Sequence, residues 1–172
     1  ARPLPEARAL VIGGGAIGML AALLLRSYGL RQIFLAETNA LRRQSVARHV
    51  HCEVFDPREA DPLGEDACEL VIDAVGAKAT REAALRAVRP GGVVMHIGLQ
   101  DWASTIDMRK LTLSEITLIG TYTYTQSDLR ATVAALHAGI FGDLAWVEQR
   151  PLDHGAQAFA DLDAGRSPAA KI

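Results

Sequence analysis

The sequence predicts an α/β fold, with a doubly wound parallel sheet of six strands in the order 3-2-1-4-5-6. Short apolar strands alternate with helical segments, a glycine turn follows the first strand, and the second strand is a continuous apolar run. This alternation is typical of parallel sheets that are covered by helices on both faces. Right-handed crossovers after such a turn then give the doubly wound order.

The first half of the sheet has strands predicted at residues 9–12, 33–36 and 52–55. The helix from Ile17 to about Tyr28 is almost wholly apolar, so we expect it to be buried, and Gly29 ends it. A second helix runs to about His49. Either Thr38 or Asn39 can cap it, because both side chains can accept a bond from a first-turn N–H group.

The second half continues with strands predicted at residues 70–73, 93–97 and 116–121. Helices are predicted at residues 80–88, at 107–113, and from a Ser127 cap to about Ala138, where Gly139 ends the last helix. The run Arg89-Pro-Gly-Gly92 predicts a turn before the fifth strand.

The chain divides into three predicted parts. Residues 1–8 form a linker, residues 9–145 form the six-stranded domain, and residues 146–172 return toward a neighbouring domain with a strand, helix and strand outside the repeat. The chain starts without Met and stops within what resembles a strand. We therefore expect a piece of a longer protein.

The composition excludes several classes of function. The net charge is −2 and aromatic residues make up 5% of the chain, so a nucleic-acid partner is not expected. Glycine or arginine interrupts the apolar runs before membrane-spanning length, and no signal peptide is visible. With Cys52 and Cys68 as the two cysteines, the sequence predicts a reducing compartment, the cytoplasm.

The glycines after the first strand are spaced Gly13-x-Gly15-x-x-Gly18, which predicts a dinucleotide site. Gly13 permits the tight turn, Gly15 lets the backbone approach a pyrophosphate, and Gly18 lets the helix lie close to the strand. The helix N-terminus offers unpaired N–H groups and a positive dipole end to the phosphates.

Glu37 follows Gly18 by nineteen positions, close to the spacing of about 20 expected for the acid that binds the adenosine ribose. At about 5 Å and an effective dielectric near 20, it would repel a 2′-phosphate by roughly 3 kcal/mol. NAD is therefore favoured over NADP. Arg42 and Arg43 have two interpretations. They could hold that phosphate, which would favour NADP, or they could form a solvated helix face.

The chain resembles the cofactor-binding domain of the medium-chain dehydrogenase/reductases, of the zinc-type alcohol, polyol and threonine dehydrogenase kind. The resemblance rests on an ordered set of motifs, namely Val11–Gly18, Glu37, Val71–Gly76, Arg89–Val94, Ile97-Gly98, Leu118–Thr121, Arg150–Leu152 and Ala156–Gly165.

This resemblance implies which residues meet the cofactor. Residues 13–18, including Ala16 and Ile17, would hold the pyrophosphate, and Ile17 would pack toward the nicotinamide. Glu37 would bind the ribose with Arg42 beside it. The remaining expected contacts follow the fourth, fifth and sixth strands, at Ala74, Val75, Ile97, Gly98, Leu99, Thr121 and Thr123.

The resemblance also implies hydride transfer between the nicotinamide and the carbon of an alcohol or carbonyl substrate. The zinc ligands and the proton relay of the family lie in an N-terminal GroES-like domain. We therefore assign no catalytic residue and no metal ligand to this chain. A further departure is His51, where the family has a helix-ending glycine, so that either His51 is left-handed or the helix ends differently.

Several side chains have two interpretations. His49, His51 and Cys52 could be metal ligands, but no fourth ligand is near in sequence. His96 could donate a proton or be a rim histidine. Asp73 could touch the adenosine side or only begin the next loop.

Two more groups of side chains are open to a functional interpretation. Cys68 lies between Asp66 and Glu69, which would raise its pKa. Tyr122 and Tyr124 lack a Tyr-x-x-x-Lys pairing, so rim or interface aromatics are the preferred interpretation.

The sixth strand is an unprotected edge, which predicts a homodimer through it. Two other functions are compatible with the sequence. One is a non-catalytic module that senses a dinucleotide, and the other is an S-adenosylmethionine methyltransferase, which would have a reversed final hairpin.

Overall fold

The computed structural model describes residues 3–172 and contains one six-stranded sheet. All of its strand pairs are parallel, in the order β3-β2-β1-β4-β5-β6. This confirms the predicted fold class and strand order. The strands are β1 (Arg8–Ile12), β2 (Gln32–Ala36), β3 (Glu53–Phe55), β4 (Cys68–Asp73), β5 (Val88–His96) and β6 (Thr117–Gly120).

Six α-helices connect and follow these strands. They are α1 (Ala16–Ser27), α2 (Ala40–His49), α3 (Lys78–Ala87), α4 (Met108–Leu113), α5 (Gln126–His137) and α6 (Gly155–Asp163). The predicted cap at Ser127 is wrong, because Thr125 caps α5. The Thr125 hydroxyl accepts a bond from the Asp128 N–H, and the Asp128 carboxylate accepts one from the Thr125 N–H.

Asn39 is the cap of α2, where its side-chain oxygen accepts a bond from the Arg42 N–H at 3.1 Å. The helix ends without a left-handed residue. Val50 is extended and donates its N–H to Val46, and His51 is not among the residues with positive φ. The second of the two expectations for His51 is therefore confirmed.

The segment predicted as a turn at residues 89–92 lies inside β5. Cys68 pairs with Val88 and Leu70 pairs with Val93, so four residues of β5 bulge out between two closely spaced partners. Gly91 adopts a φ of +71° there. The strand thus begins at Val88 rather than Val93, because β5 pairs with β4 both before and after the bulge.

Each face of the sheet has its own apolar core. Along β1, Ala9 and Val11 pack with α1, whereas Leu10 and Ile12 pack with α3 on the other face. Both pairs are buried, which explains the uninterrupted apolar run of this strand. The prediction that α1 is buried is confirmed for its core-facing side, as at Met19, but not for Ile17 at its start, which is 50% exposed.

The segment after residue 145 folds back onto the core that contains α1. Trp146 is buried there, and Val147 forms a single parallel bridge with Lys171. The two strands predicted in this segment are reduced to that bridge. The predicted helix is present as a short 3-10 turn, Leu152–His154, followed by α6.

An ion-pair cluster holds this segment together, and it predicts a pH-dependent stability. Asp161 binds Arg150 at 2.7 Å and Arg166 at 2.9 Å, and the hydrogen bond from Arg150 is the main cause that lowers the Asp161 pKa to about 2. Because the Asp161 pKa is lower in the folded state, the stabilisation is full above the unfolded value of about 3.9 and is lost toward pH 2.

We expect Asp161→Asn to lower the melting temperature at pH 7, and this difference from the unaltered chain to shrink from pH 4 downward. Asp163→Asn, on the same helix, is the control for thermal melts, and a difference that is independent of pH would contradict the prediction.

Within residues 3–172, no helix combines the length and the apolar character that a membrane crossing requires.

Candidate cofactor site

The site lies where the strand order reverses, between β1 and β4. From β1 the sequence order runs to β2 on one side, and from β4 it runs to β5 on the other. The loops that leave neighbouring strands therefore diverge here and open a crevice at the carboxyl edge of the sheet. In open α/β sheets, ligands bind at such a switch point.

The glycine turn after β1 fits a phosphate group. Gly13 has a φ of +100° and donates its N–H to Ala36 at 2.8 Å. A Cβ built on Gly18 would overlap the carbonyl oxygen of Gly13, whereas a Cβ on Gly15 would meet no atom within 4 Å. Gly18 is thus required for packing, and Gly15 faces open space at the start of α1. The chain leaves room for a ligand at the helix N-terminus.

Glu37 follows β2 and is 7% exposed. One carboxylate oxygen accepts the Gly14 N–H at 2.7 Å, and the other accepts the Asn39 N–H at 2.7 Å. The side chain therefore connects the end of β2 to the glycine turn. Because a carboxylate has about four acceptor directions, capacity remains for a ribose hydroxyl.

The basic residues beside Glu37 are held by other groups. Arg42 reaches Leu162 in α6, with 3.4 Å between its Nη2 and the carbonyl oxygen. Its Nε is buried and has no hydrogen-bond partner among residues 3–172. Arg43 binds Asp56 at 2.9 Å and also donates to the Glu37 carbonyl. The contact of Arg42 with ribose stays a prediction.

Sequence reasoning missed the residues that hold Arg43. Asp56 follows β3 and is 5% exposed, and Arg58 binds it through both Nε, at 2.9 Å, and Nη2, at 2.6 Å. These bonds, above all the Arg58 side-chain bond, hold the Asp56 pKa well below its usual range. A signal was present in the acid-x-Arg spacing directly after a strand, but only the pairing of β3 with β2 shows its proximity to Glu37.

Asp73 is fully buried and organises the loop that leaves β4. One of its oxygens accepts the N–H groups of Val75 and Gly76 at 3.0 and 2.9 Å, and the other accepts Thr80 at 3.1 Å. His96, its cross-strand neighbour, lies 3.3 Å away. These bonds favour the loop interpretation of Asp73. His96 and Asp73 both line a cavity whose wall also includes Trp102 and Leu118.

The other predicted contacts all lie at the carboxyl edge of the sheet. Gly76 and Gly98 meet backbone to backbone, so that neither has room for a Cβ. The exit of β5 is fixed by hydrogen bonds from the Ile97 and Gly98 N–H groups to the backbone carbonyl of Asp73, at 2.9 and 3.0 Å. The remaining residues on this edge are Ala16, Ile17, Ala74, Val75, Leu99, Thr121 and Thr123. Their contact with a cofactor stays a prediction.

Neither cysteine has a reactive character. Burial raises the Cys52 pKa to about 11 and the Cys68 pKa to about 12. The direction predicted for Cys68 is right, but burial is the larger cause and Glu69 contributes less. Among residues 3–172, no three His, Cys, Asp or Glu side chains come together in a group that could hold a metal ion.

The surface around β6 is apolar and exposed. Leu118 is 40% exposed, and the aromatic rings that follow the strand, Tyr122 and Tyr124, are more exposed still. Trp102 and Leu113, on the connection between β5 and β6, are exposed as well. Among residues 3–172, β6 pairs with β5 alone, so its other edge has backbone groups that no strand of this part of the chain binds.

Comparison with known proteins gives a family match. The family described as zinc-binding dehydrogenase matches residues 16–138. Among curated proteins, the probable D-xylulose reductase A of Aspergillus clavatus is 24% identical over 181 residues, which cover 94% of this chain and 49% of the relative. The chain spans about half the length of the curated relatives it matches.

Solved structures share the fold. The acetophenone reductase of Geotrichum candidum in complex with NAD matches with a TM-score of 0.85 and 22% identity, over 97% of this chain and 48% of that protein. A zinc-binding dehydrogenase of Sinorhizobium meliloti bound to NADP matches with a TM-score of 0.80 and 22% identity, over 90% of this chain and 48% of that protein. The parallel β6 also differs from the reversed hairpin expected of a methyltransferase.

Proposed function

Because this chain belongs to the zinc-binding dehydrogenase family and is the cofactor-binding part of such a protein, we propose that it binds NAD for a dehydrogenase acting on small alcohols or carbonyl compounds. The observation that carries the proposal is an open Gly15 after β1 together with a buried Glu37 after the neighbouring β2, on the β1 side of the switch point. The glycine leaves room for a pyrophosphate, and the carboxylate accepts hydroxyl groups.

In this proposal the chain positions the cofactor. The N-terminus of α1 binds the pyrophosphate through backbone N–H groups and the helix dipole. Glu37 binds the ribose hydroxyls, and the exits of β4, β5 and β6 orient the nicotinamide ring. The bound cofactor supplies or accepts the hydride. Holding it in one geometry lowers the entropic part of the barrier.

The preference for NAD follows from charge. A 2′-phosphate beside Glu37 would face a buried carboxylate. The repulsion is about 3 kcal/mol at about 5 Å and an effective dielectric near 20, or roughly a hundredfold in affinity. We propose NAD as the cofactor on this ground.

The substrate class is proposed from the relatives. One is named for the reduction of xylulose and another for that of acetophenone, so an alcohol or carbonyl carbon is the reacting centre. The groups that would move the substrate proton, and zinc where the full protein uses it, are assigned to another domain. A cytoplasmic location is part of the proposal, since Cys52 and Cys68 are free thiols.

Titration of the purified chain with NADH and NADPH, followed by calorimetry or cofactor fluorescence, tests the proposal. We expect binding of both, with NADH at least about tenfold tighter, because the charge repulsion is partly screened by solvent. A tighter NADPH complex would contradict the choice of cofactor. If neither cofactor bound, the proposal of a dinucleotide site in this chain would be overturned.

The homodimer is also a proposal, supported by the apolar surface and the unpaired edge at β6. In a two-fold pair, a lysine introduced at Leu118 would place two like charges near the shared edge. We expect Leu118→Lys to raise the dissociation constant of the dimer at least about tenfold, since 1.4 kcal/mol of lost burial and added repulsion suffices. Light scattering over a concentration series measures this. Leu152→Lys, at another exposed leucine, is the control, and an equal effect of both variants would contradict the role of β6.

A further inference from the structure

Asp56 holds two guanidinium groups that also bond the residue after Glu37, the acid proposed to bind ribose. Asp56 binds Arg43 at 2.9 Å and Arg58 at 2.6 Å, and its side chain is 2% exposed. Both arginines also donate to the Thr38 carbonyl, at 2.8 and 2.7 Å. Thr38 is the residue directly after Glu37. Both guanidinium groups therefore bond the residue next to the acid that is proposed to bind ribose.

We infer that Asp56 is a specificity-determining residue, which excludes NADP by keeping Arg43 and Arg58 paired and unavailable to a 2′-phosphate. The inference rests on the proposed function and goes one step beyond it. Glu37 repels the phosphate directly, whereas Asp56 removes the cations that could otherwise attract it.

The geometry explains why the pairing is effective. Asp56 receives four bonds, one from Arg43 and three from Arg58, including the Arg58 backbone N–H at 3.0 Å. Charge-assisted and bidentate bonds of this kind are strong and directional. A buried carboxylate that lost these partners would remain desolvated, which opposes their release to a ligand.

The two arginines differ in how they would respond. The Arg58 side chain is 65% exposed, whereas that of Arg43 is 22% exposed and is also held by the Glu37 carbonyl. Once Asp56 is neutral, Arg58 is the group with freedom to turn toward a ligand. Arg43 would add positive potential from a fixed position.

The test compares the NADPH and NADH dissociation constants of a series of variants of this chain. Glu37→Gln removes the direct repulsion and brings the two constants closer. Adding Asp56→Asn should shift the ratio a further two- to fivefold or so toward NADPH, since an exposed cation beside a phosphate contributes up to about 1 kcal/mol after screening. Adding Arg58→Gln to that double variant should abolish most of this second gain.

Asp56→Asn keeps an oxygen for the Arg58 N–H, so the loop retains a hydrogen-bond acceptor. Glu69→Gln is the control for the loss of a carboxylate that pairs with an arginine. Glu69 lies near the start of β4 and binds Arg89 near the start of β5, away from the carboxyl edge of the sheet. It should leave the ratio unchanged. Thermal melts without cofactor identify any variant that fails to fold.

Two results would overturn the inference while leaving the proposed function intact. In the first, the chain binds NADH but the ratio does not respond to Asp56→Asn in the Glu37→Gln background. In the second, the affinities for both cofactors fall by the same factor, which would make the Arg43–Asp56–Arg58 cluster a support for the adenosine rather than a filter. Failure of the unaltered chain to bind either cofactor would instead overturn the proposed function.

Discussion

Replacing Glu37 with Gln should lower the preference for NADH over NADPH by up to about a hundredfold. The charge repulsion toward a 2′-phosphate, roughly 3 kcal/mol, is removed. At the same time the charge-assisted bonds to the ribose hydroxyls become neutral ones, which lowers the NADH affinity. Parallel titrations with both cofactors measure the ratio directly, and ionic strength must be fixed because salt screens the effect.

Glu37→Gln is preferable to Glu37→Ala for a structural reason. The carboxylate accepts the N–H groups of Gly14 and Asn39, and alanine would leave both without a partner. Each unsatisfied buried group costs about 1–3 kcal/mol, so a loss of binding could reflect a disordered glycine turn. Glutamine retains one acceptor oxygen. An unchanged NADH to NADPH ratio in a folded Glu37→Gln variant would show that Glu37 is not at the ribose.

Much of the fold around Glu37 was predictable from the sequence alone. The strand order, the glycine turn and the position of Glu37 were predictable, because they depend on apolar runs and on spacing within the chain. The bulge in β5 was not, because it depends on which residues of β4 resume the pairing after Cys68. The Thr125 cap was within reach, since Thr-x-x-Asp resembles the capping-box pattern.

The arrangement of charges around the site was harder to predict. Arg42 and Arg43 are adjacent in sequence, yet one reaches α6 and the other reaches Asp56. Nothing in their local pattern distinguishes them, because the outcome depends on the fold of distant segments. Asp73 shows the same limit. The sequence does not indicate that the Val75 and Gly76 N–H groups and the Thr80 hydroxyl bond to its carboxylate, and its contact with the adenosine stays a prediction.

The glycines of the turn should separate binding from folding. At Gly15, which has an extended conformation with a φ of −73°, a side chain meets no protein atom within 4 Å of its Cβ. Gly15→Val should therefore leave the melting temperature of the free chain nearly unchanged. If the open space is the pyrophosphate site, the same change should weaken NADH binding about a hundredfold or more, since close approach of the backbone is blocked.

Gly18→Ala should instead lower the melting temperature of the free chain. Its Cβ would overlap the Gly13 carbonyl oxygen and come within 3.3 Å of Val11, so α1 could no longer lie against β1 without a backbone shift. Overpacking of this kind costs about 1–3 kcal/mol or more, and thermal melts should show it before any cofactor is added. Gly155→Val, where a Cβ also meets no neighbour, is the control for an added side chain remote from the turn. If Gly15→Val bound NADH as tightly as this control does, the space beside Gly15 would not be the pyrophosphate site, and the helix N-terminus would lose its proposed role.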